Sequence, residues 1–369
     1  MPLYLTDDQS MLRETARDFM AEQGSIAAQL RRLRDSPEGF DRGLWKQLAE
    51  LGFTGILIDE ADGGLGLGHV EAGIVLEEIG RNLTPSPFLI TAVGVVEALR
   101  GTGIRDRWLP GILAGDIVAA LAIDEGPKHR PDAIAMQAGR SGNGFSLTGR
   151  KQFVVQGASA DLIIVAANAD EGLTLFAIEK DAAGLDVEGV RLADGSIGAR
   201  LEFQGLEVDG DAVIGEAGEG RAVLDRVLNA GRAGAASELV GVASGAMAMT
   251  VDYLRQRKQF GRLIGEFQVL QHRAAHLYSE LEIARAAALK AQQLLDEGSD
   301  EAEARVAVAK AKAGRVSTLA VQEGVQMHGG IGMTDEYDIG LYMKRDRVLN
   351  ELFGDPAYHA DKLARMKGY

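Results

Sequence analysis

The chain of 369 residues contains no cysteine. This absence excludes disulfide bonds, thiolate nucleophiles and cysteine-based zinc sites, and it fits a reducing compartment. Long apolar runs are also missing, because no stretch approaches the ~20 apolar residues that span a bilayer. The opening segment MPLYLTDDQSMLRETARDFM lacks the basic and apolar regions of a signal peptide. We therefore expect a cytoplasmic protein with no membrane span.

Positive charge is in the minority, with 39 Lys and Arg against 54 Asp and Glu and a net charge of −15. Such a surface repels nucleic acid and anionic membranes, so neither is expected as a partner. Hydrophobic residues make up 46% of the chain, which is ample for a large buried core. The length alone allows two to three domains.

The first region, residues 1–116, has the periodicity of helices. Thr6 precedes a stretch with acids in its first turn and with Leu12, Ala16 and Phe19 at helical spacing, which predicts a helix capped by Thr6. Further helices are predicted in GLWKQLAEL, HVEAGIVLEEIGR and FLITAVGVVEALR.

In residues 117–215 the apolar residues no longer recur at helical spacing but form short strand-like runs. In residues 216–369 the helical spacing returns. Short runs rich in Val, Ile, Leu and Phe, separated by Gly, Asp and Asn, predict a central antiparallel β domain: FSLTGRKQFVV, ADLIIVAAN, LTLFAIE, LDVEGVRL and ARLEFQGLEV. In the last region, Leu270, Ala274, Leu277 and Leu281 recur three and four apart, which predicts a C-terminal helical bundle. The absence of βαβ alternation disfavours a doubly wound nucleotide-binding sheet.

Two motifs are weak. GGLGLGHVE resembles a dinucleotide loop, but Glu71 stands where the third glycine belongs, so a helix-connecting loop is favoured. His272 and His276 lie one helical turn apart, yet no third ligand is found at a characteristic spacing. We expect no metal site.

The stretch RQRKQFGRLIGEFQVLQ, residues 255–271, is more informative. It places Arg257, Gln259, Phe260 and Gln268 around a glycine-interrupted connection between two long helices. Guanidinium and amide groups there could hold a phosphate while the aromatic ring covers a planar group. An exposed charged turn explains the stretch equally well.

The stretch VQMHGGIGMTDEY, residues 325–337, contains Gln326 followed by the paired Gly329 and Gly330. Glycines at this place stop a helix and let backbone N–H groups approach a ligand closely. An ordinary glycine cap at the end of the helix is an equally good interpretation.

Together with the helical, β, helical order, these two stretches resemble the acyl-CoA dehydrogenase family. LWKQLAELGFTGILIDEADGGLGLG and GRKQFVVQGASADLIIVAA resemble further parts of that family, so the likeness covers nearly the whole chain. It implies an α+β multidomain fold with an N-terminal helical domain, a central antiparallel β domain and a C-terminal four-helix bundle. It also implies FAD bound between the subunits of a dimer, usually within a tetramer.

In that family a carboxylate removes the α-proton of an acyl-CoA while the β-hydrogen leaves as hydride to the flavin, which gives the 2-enoyl-CoA. Arg232 matches a family arginine beside the substrate and the base. Seven residues match positions that hold the ADP half of an FAD bound mainly to the neighbouring subunit: Arg257, Gln259, Phe260, Gln268, Gln326, Gly329 and Gly330.

The positions for the flavin ring depart from the family pattern. Asp124 takes the place of a threonine, and Phe153, Val154 and Val155 stand where Trp-Ile-Thr or Trp-Ile-Ser is usual. The usual side-chain hydroxyl donor to the flavin is therefore missing, although backbone N–H groups could serve.

Both family positions for the catalytic base are glycine in this chain. The common position, counted from Arg345 and Asp346, falls on Gly354, and the alternative position falls on Gly231. Asp355 is one residue away and has a shorter side chain, which makes it a poor but testable base. Glu238 lies two helical turns beyond Gly231, which is too far.

This pattern resembles the base-lacking chain of the α2β2 heterotetramers that typically act on steroid-derived acyl-CoA side chains. We therefore expect a subunit of an FAD-dependent acyl-CoA dehydrogenase, active only with a homologous base-bearing partner. One alternative is a self-sufficient homotetrameric dehydrogenase that uses Asp355. The other is a non-redox protein that binds acyl-CoA or acts as a scaffold on the same fold.

Overall fold

The computed structural model describes residues 3–369. The chain divides into two compact units. The first unit comprises Met1–Arg31, His69–Thr84 and Arg232–Tyr369, and the second comprises Arg32–Gly68 and Pro85–Gly231. This grouping follows compactness rather than order along the chain, and the three ranges 1–116, 117–215 and 216–369 stay predictions.

The predicted helices are present, and the long ones lie in the C-terminal part of the chain. In the part of the chain that the structure describes, the α-helices are α1 (Asp7–Glu22), α2 (Arg31–Leu33), α3 (Arg42–Glu50), α4 (His69–Asn82), α5 (Val96–Leu99), α6 (Arg105–Leu113), α7 (Gly220–Gln256), α8 (Gln268–Asp296), α9 (Ala302–His328), α10 (Ile339–Glu351) and α11 (Pro356–Met366). A π-helical segment, Leu89–Val95, leads directly into α5.

Seven strands form the sheet of the second unit, and two more form a hairpin in the first unit. The strands are β1 (Ala119–Ala122), β2 (Gln137–Ser141), β3 (Gly144–Val155), β4 (Leu162–Ala169), β5 (Gly172–Glu179), β6 (Leu185–Arg191), β7 (Ile197–Val208), β8 (Lys258–Gln259) and β9 (Arg262–Leu263). The sheet order is β1-β4-β2-β3-β7-β6, with β5 paired to the other side of β4.

The predicted central β domain is present, and its sheet is mostly but not entirely antiparallel. The pairs β2–β3, β3–β7, β4–β5 and β6–β7 are antiparallel, but β1–β4 and β2–β4 are parallel. Parallel neighbours need a long connection, and the chain supplies one because β2 and β3 lie between β1 and β4 in the sequence. The core of this sheet includes Phe145 and Phe176, whose rings meet edge to face with centroids 5.1 Å apart.

The helix starting after Thr6 confirms the sequence prediction. The Thr6 hydroxyl accepts the Gln9 backbone N–H at 3.2 Å, and the Gln9 side chain accepts the Thr6 N–H at 3.0 Å. This reciprocal pair satisfies two backbone donors that the first turn of a helix leaves without partners.

Small residues let the helices of the first unit approach closely. A Cβ atom built on Gly80 of α4 would lie 2.1 Å from the Glu238 carbonyl oxygen of α7, and one built on Gly241 would lie 2.0 Å from the Glu77 carbonyl oxygen. Only glycine fits these crossings. The helix α7 is also long and apolar enough to cross a membrane, but 78% of its most apolar window is buried within the protein, as in the core helix of a globular fold.

Candidate functional site

The ends of α7 and α9 meet through aromatic rings. Tyr253, near the end of α7, stacks on His328, the last residue of α9, with ring centroids 4.4 Å apart. Tyr337 lies 4.8 Å from the His328 ring. Because Tyr253 precedes Arg257 by one turn and His328 precedes Gly329, these contacts join the two stretches that the sequence singled out.

The first stretch forms an exposed hairpin. Phe260, at its tip between β8 and β9, has a φ of +53° and is 91% exposed. Its ring meets Phe267 at a right angle, with centroids 6.3 Å apart. Arg257, Gln259 and Gln268 are exposed as well. An aromatic residue this exposed, on a backbone conformation that costs free energy, packs only at its edge in the described chain.

The second stretch is an open glycine turn. Gln326, Gly329 and Gly330 are exposed, and a Cβ atom built on either glycine would meet nothing within 4 Å. Gly329 has a φ of +63°, which other residues adopt at a cost. An arginine, side-chain amides, an exposed ring and an open glycine turn are features that a nucleotide site uses, so these residues fit the ADP half of FAD.

His328 lies beneath this turn and was missed by the sequence reasoning. Its Nδ1 is 2.7 Å from the Gly324 carbonyl oxygen, and its Nε2 is buried with no hydrogen-bond partner among the described residues. Burial lowers the pKa of His328, which favours the neutral ring. The stack with Tyr253 therefore holds an uncharged histidine at the helix end.

In the second unit, Asp124 is engaged by neighbours from its own segment. Its two carboxylate oxygens each lie 3.0 Å from Nδ1 of the buried His129, and Oδ1 accepts the Arg130 backbone N–H at 3.2 Å. Phe153 has a φ of +56°, and Val154 and Val155 are buried. These side chains offer no hydroxyl group, and the expected departure from the family pattern at the flavin ring stays a prediction.

A buried ion pair lies beside this segment. The Lys151 ammonium donates to the Ile123 carbonyl oxygen at 3.0 Å and to Glu125 at 2.7 Å. Burial lowers the pKa of Lys151. Burial alone would raise the pKa of Glu125, but the hydrogen bonds from Lys151 and from two backbone N–H groups lower it overall. The pair thus fixes the segment 123–136 to β3.

An aromatic ring fills the space at position 354, where the sequence predicted the common base position. Gly354 is buried, with a φ of +102°. A Cβ atom built on Gly354 would lie 2.4 Å from Cδ1 and 3.0 Å from Cε1 of Tyr358. The Tyr358 hydroxyl accepts a hydrogen bond from Nη2 of Arg232 at 3.1 Å, which holds the ring in place. No side chain at position 354 can occupy this space without moving Tyr358.

Buried cations hold the loop that contains Gly354. Arg232 is 2% exposed, and its Nε donates to the Phe353 carbonyl oxygen at 3.2 Å. Phe353 itself has a φ of +59°, so two successive residues take a left-handed conformation. The fully buried Lys310 donates to the carbonyl oxygens of Leu349, Asn350 and Gly354 at 2.9, 3.3 and 3.1 Å.

Lys310 was missed by the sequence reasoning, although a signal was present. It lies between Ala309 and Ala313 on α9, among the small residues of a packed helix face. A lysine is rarely buried at such a position unless it has a partner. Burial and the nearby Arg232 lower the pKa of Lys310 to about 7. Burial also raises the pKa of the neighbouring Asp346. The environment of Gly354 is therefore dry and rich in cationic groups.

The two acids considered as substitutes for the base have structural partners. Asp355 caps α11, because its Oδ1 accepts the backbone N–H groups of Ala357 at 3.0 Å and Tyr358 at 2.8 Å. Glu238 is buried and accepts two hydrogen bonds from Arg345, at 2.9 and 2.5 Å. The role of Asp355 as a base stays a prediction. Gly231 is buried within α7.

Among residues 3–369, no group of three or more His, Asp and Glu side chains could hold a metal ion. His272 and His276 both lie exposed on α8. The histidine pair thus has the surface position that the sequence favoured.

Family models match both helical parts of the chain. Residues 6–116 match the acyl-CoA dehydrogenase N-terminal domain, and residues 218–367 match the acyl-CoA dehydrogenase C-terminal domain. The chain is 32% identical to a mitochondrial 2-methylacyl-CoA dehydrogenase of Solanum tuberosum, over 95% of this chain and 88% of the relative. It is 30% identical to the cyclohex-1-ene-1-carbonyl-CoA dehydrogenase of Geobacter metallireducens, over 95% of each.

Solved structures include two that contain pairs of different chains. The Tcur3481-Tcur3483 steroid ACAD variant is 29% identical with a TM-score of 0.90, over 98% of each chain. The ChsE4-ChsE5 complex from Mycobacterium tuberculosis is 25% identical with a TM-score of 0.92, over 100% of each chain. With family models that match both helical parts and a relative that is 32% identical over 95% of this chain, this chain belongs to the acyl-CoA dehydrogenase family.

Proposed function

We propose that this chain is the base-lacking subunit of a heteromeric, FAD-dependent acyl-CoA dehydrogenase that converts an acyl-CoA to the 2-enoyl-CoA. The observation that carries the proposal is the Tyr358 ring in the space that a side chain at position 354 would need. If the base had been lost without any other change, position 354 would still have room for a carboxylate side chain. Here the room is filled, and Arg232 and Lys310 hold the surrounding loop.

The nucleotide-binding residues support a contribution to a cofactor held mainly by the partner. Arg257, Gln259, Phe260, Gln268 and Gln326 lie exposed, and the turn at Gly329 and Gly330 is open. These groups would bind the ADP half of FAD. The flavin, when bound, supplies the acceptor for the hydride that leaves the β-carbon of the acyl-CoA.

The partner would be a homologous chain that carries the catalytic carboxylate, in an α2β2 arrangement. The likeness to the Tcur3481-Tcur3483 steroid ACAD and to the ChsE4-ChsE5 complex supports this assembly and, through the first of them, a bulky steroid-derived acyl group. Arg232 would orient the loop next to the substrate in the shared assembly rather than take part in proton transfer, since its donors already bond Phe353 and Tyr358.

The proposal is tested by producing the chain alone and together with a base-bearing homologue. We expect the pair to purify as a yellow heteromer that forms 2-enoyl-CoA, with turnover unchanged by Asp355→Asn in this chain. This substitution keeps the helix cap, because asparagine caps helices about as well as aspartate. Full flavin content and turnover in the chain alone would refute the proposal.

A further inference from the structure

A cavity of about 390 Å³ lies within the first unit, away from the segments described above. Its walls come from α1, α4, α7 and α8 and from the segment before α1. The volume is within the usual range of small-molecule sites, about 300–1,000 Å³. Neither the loop at Gly354 nor the glycine turn at Gly329 contributes to its lining.

Three carboxylates line the cavity, and each of them already has cationic partners. Arg285 donates to Glu77 at 3.0 Å and also bonds Glu282. Arg17 donates to the buried Glu78 at 3.0 Å. A second cation reaches the same carboxylate, since Arg81 Nε lies 3.1 Å from Glu78 Oε2. The acids of the cavity are therefore neutralised within the protein.

Arg13 is the exception among the charged residues that line the cavity. It projects from α1 one turn beyond Ser10, which also lines the cavity, so both side chains lie on one face of the helix. Its Nε is buried with no hydrogen-bond partner, and residues 3–369 offer its guanidinium no ion pair. An unpaired, partly desolvated guanidinium costs free energy unless an anion binds it.

The rest of the lining contains both polar and aliphatic residues. Leu3, Leu5, Val70, Ile74 and Leu289 contribute aliphatic side chains. A ligand that fits must therefore carry an anionic group for Arg13 and an aliphatic part for these walls. Leu3 is 55% exposed and Tyr4 is 71% exposed, so the segment before α1 forms the thin outer wall.

We propose that this cavity binds a small aliphatic monocarboxylate, with its carboxylate on Arg13 and its tail among the aliphatic side chains. The residues that line the cavity do not include Gly354 or the glycine turn at Gly329. A bidentate pair between guanidinium and carboxylate gives both affinity and orientation. Binding would also bring the segment Leu3–Leu5 down onto the ligand.

The test uses the purified full-length chain and octanoate as the probe, titrated by calorimetry. We expect saturable binding that weakens at least tenfold in Arg13→Gln and at least tenfold for octan-1-ol, which lacks the charge. Arg365→Gln is the matched control, because Arg365 is a largely exposed arginine on the far C-terminal helix, and it should bind octanoate like the original chain. A second variant, Ala286→Phe, fills the cavity and should abolish binding without removing any charge.

A second measurement tests whether the ligand protects the segment Leu3–Leu5, the outer wall of the cavity, from proteolysis. Chymotrypsin cleaves after tyrosine, and octanoate should slow cleavage after Tyr4 in the original chain but not in Ala286→Phe. The proposal is overturned if no saturable binding occurs up to about 5 mM octanoate, above the ~1 mM dissociation constant of a weak site. It is also overturned if octan-1-ol binds as tightly as octanoate, or if Arg13→Gln and Ala286→Phe both bind octanoate normally.

Discussion

Two turns in the first unit contain glycine shortly after a helix ends, and they differ in what surrounds the glycine. At Gly329 and Gly330 an added Cβ meets nothing within 4 Å, whereas at Gly354 it meets the Tyr358 ring at 2.4 Å. The first turn is exposed, and the second is buried and held by Arg232 and Lys310. One glycine site is thus open to a ligand, and the other is closed by the protein itself.

This difference separates recognition from chemistry within one chain. A surface for a nucleotide requires exposed donors and space, both of which the turn at Gly329 retains. Proton transfer requires a carboxylate within about 3 Å of the substrate carbon, and the structure around Gly354 leaves no room for one. The same kinds of substitution at both turns test whether they differ in this way.

The largest effect is expected for Gly354→Glu, which restores the family's base by sequence. The new side chain collides with Tyr358 and imposes a left-handed φ on a residue with a Cβ, so we expect a loss of about 3–4 kcal/mol in the free energy of unfolding. Urea denaturation measures this loss. Adding Tyr358→Ala should cost less than the sum of the two single changes, because it relieves the collision.

The matched control is Gly340→Glu on α10, where a Cβ meets nothing within 4 Å. Glutamate in the first turn of a helix is favourable, so stability should stay within about 0.5 kcal/mol or rise. A Gly354→Glu variant as stable as this control would show that the position is not closed.

The next effect is expected for Lys310→Met. Three carbonyl oxygens lose their buried donor, which should cost about 2–4 kcal/mol. Lys312→Met on the same helix is the control, because Lys312 is part-exposed and pairs with Glu280 at the surface, and it should cost less than about 1 kcal/mol. Equal losses in both variants would contradict the anchoring role of Lys310.

Lys310 also predicts a pH dependence. Its pKa is about 7 in the folded chain and about 10.4 when exposed, so the unfolded state binds more protons between these values. The stability that this difference contributes is fully present above about pH 10.4 and is lost as the pH falls to about 7. We therefore expect the unfolding free energy of the original chain, relative to Lys310→Met, to rise from pH 7 to pH 10. A flat or falling difference would contradict it.

A smaller effect is expected for Gly329→Ala. The positive φ of Gly329 should cost about 1 kcal/mol once a Cβ is present, although there is space for it. Gly330→Ala is the control, since Gly330 has no positive φ, and thermal unfolding should hardly change. A loss above 2 kcal/mol in either variant would mean that this turn is as tightly packed as the loop at Gly354.

The smallest effect on stability is expected for Phe260→Ala, because the ring is exposed at the hairpin tip. The unfolding free energy should stay within about 0.5 kcal/mol. In the complex with a base-bearing homologue, however, the dissociation constant of FAD should rise about tenfold as a stacking contact is lost. Tyr369→Ala, another highly exposed aromatic, should leave FAD binding unchanged, and an equal effect in both would contradict a specific role for Phe260.

The sequence predicted the helical parts and five of the strands, because these depend on local periodicity along the chain. The assignment of Gly354 and Gly231 to the base positions stays a prediction. The parallel pairing of β1 and β2 with β4 was not predicted, since pairing direction depends on the path of distant connections. Tyr358 lies only four residues after Gly354. Its ring is held in the space at position 354 by the hydrogen bond from Arg232, which is 126 residues away in the sequence.

Partners that come from distant parts of the sequence explain the other differences at the site. The sequence made Glu238 and Asp355 candidate acids. In the structure, Glu238 pairs with Arg345, and Asp355 caps the first turn of α11. His129 holds Asp124, a residue that the sequence singled out because it takes the place of a threonine. The arrangement of buried polar groups thus needs three-dimensional neighbours that no local pattern contains.

The most direct measurement is turnover of a steroid-derived acyl-CoA by the chain alone, saturated with FAD and supplied with an electron acceptor, compared with the heteromer. If this chain is the base-lacking subunit, we expect no 2-enoyl-CoA from the chain alone. We expect full turnover in the heteromer, and Asp355→Asn should not change it. Turnover by the chain alone that disappears with Asp355→Asn would contradict it and would make Asp355 the base.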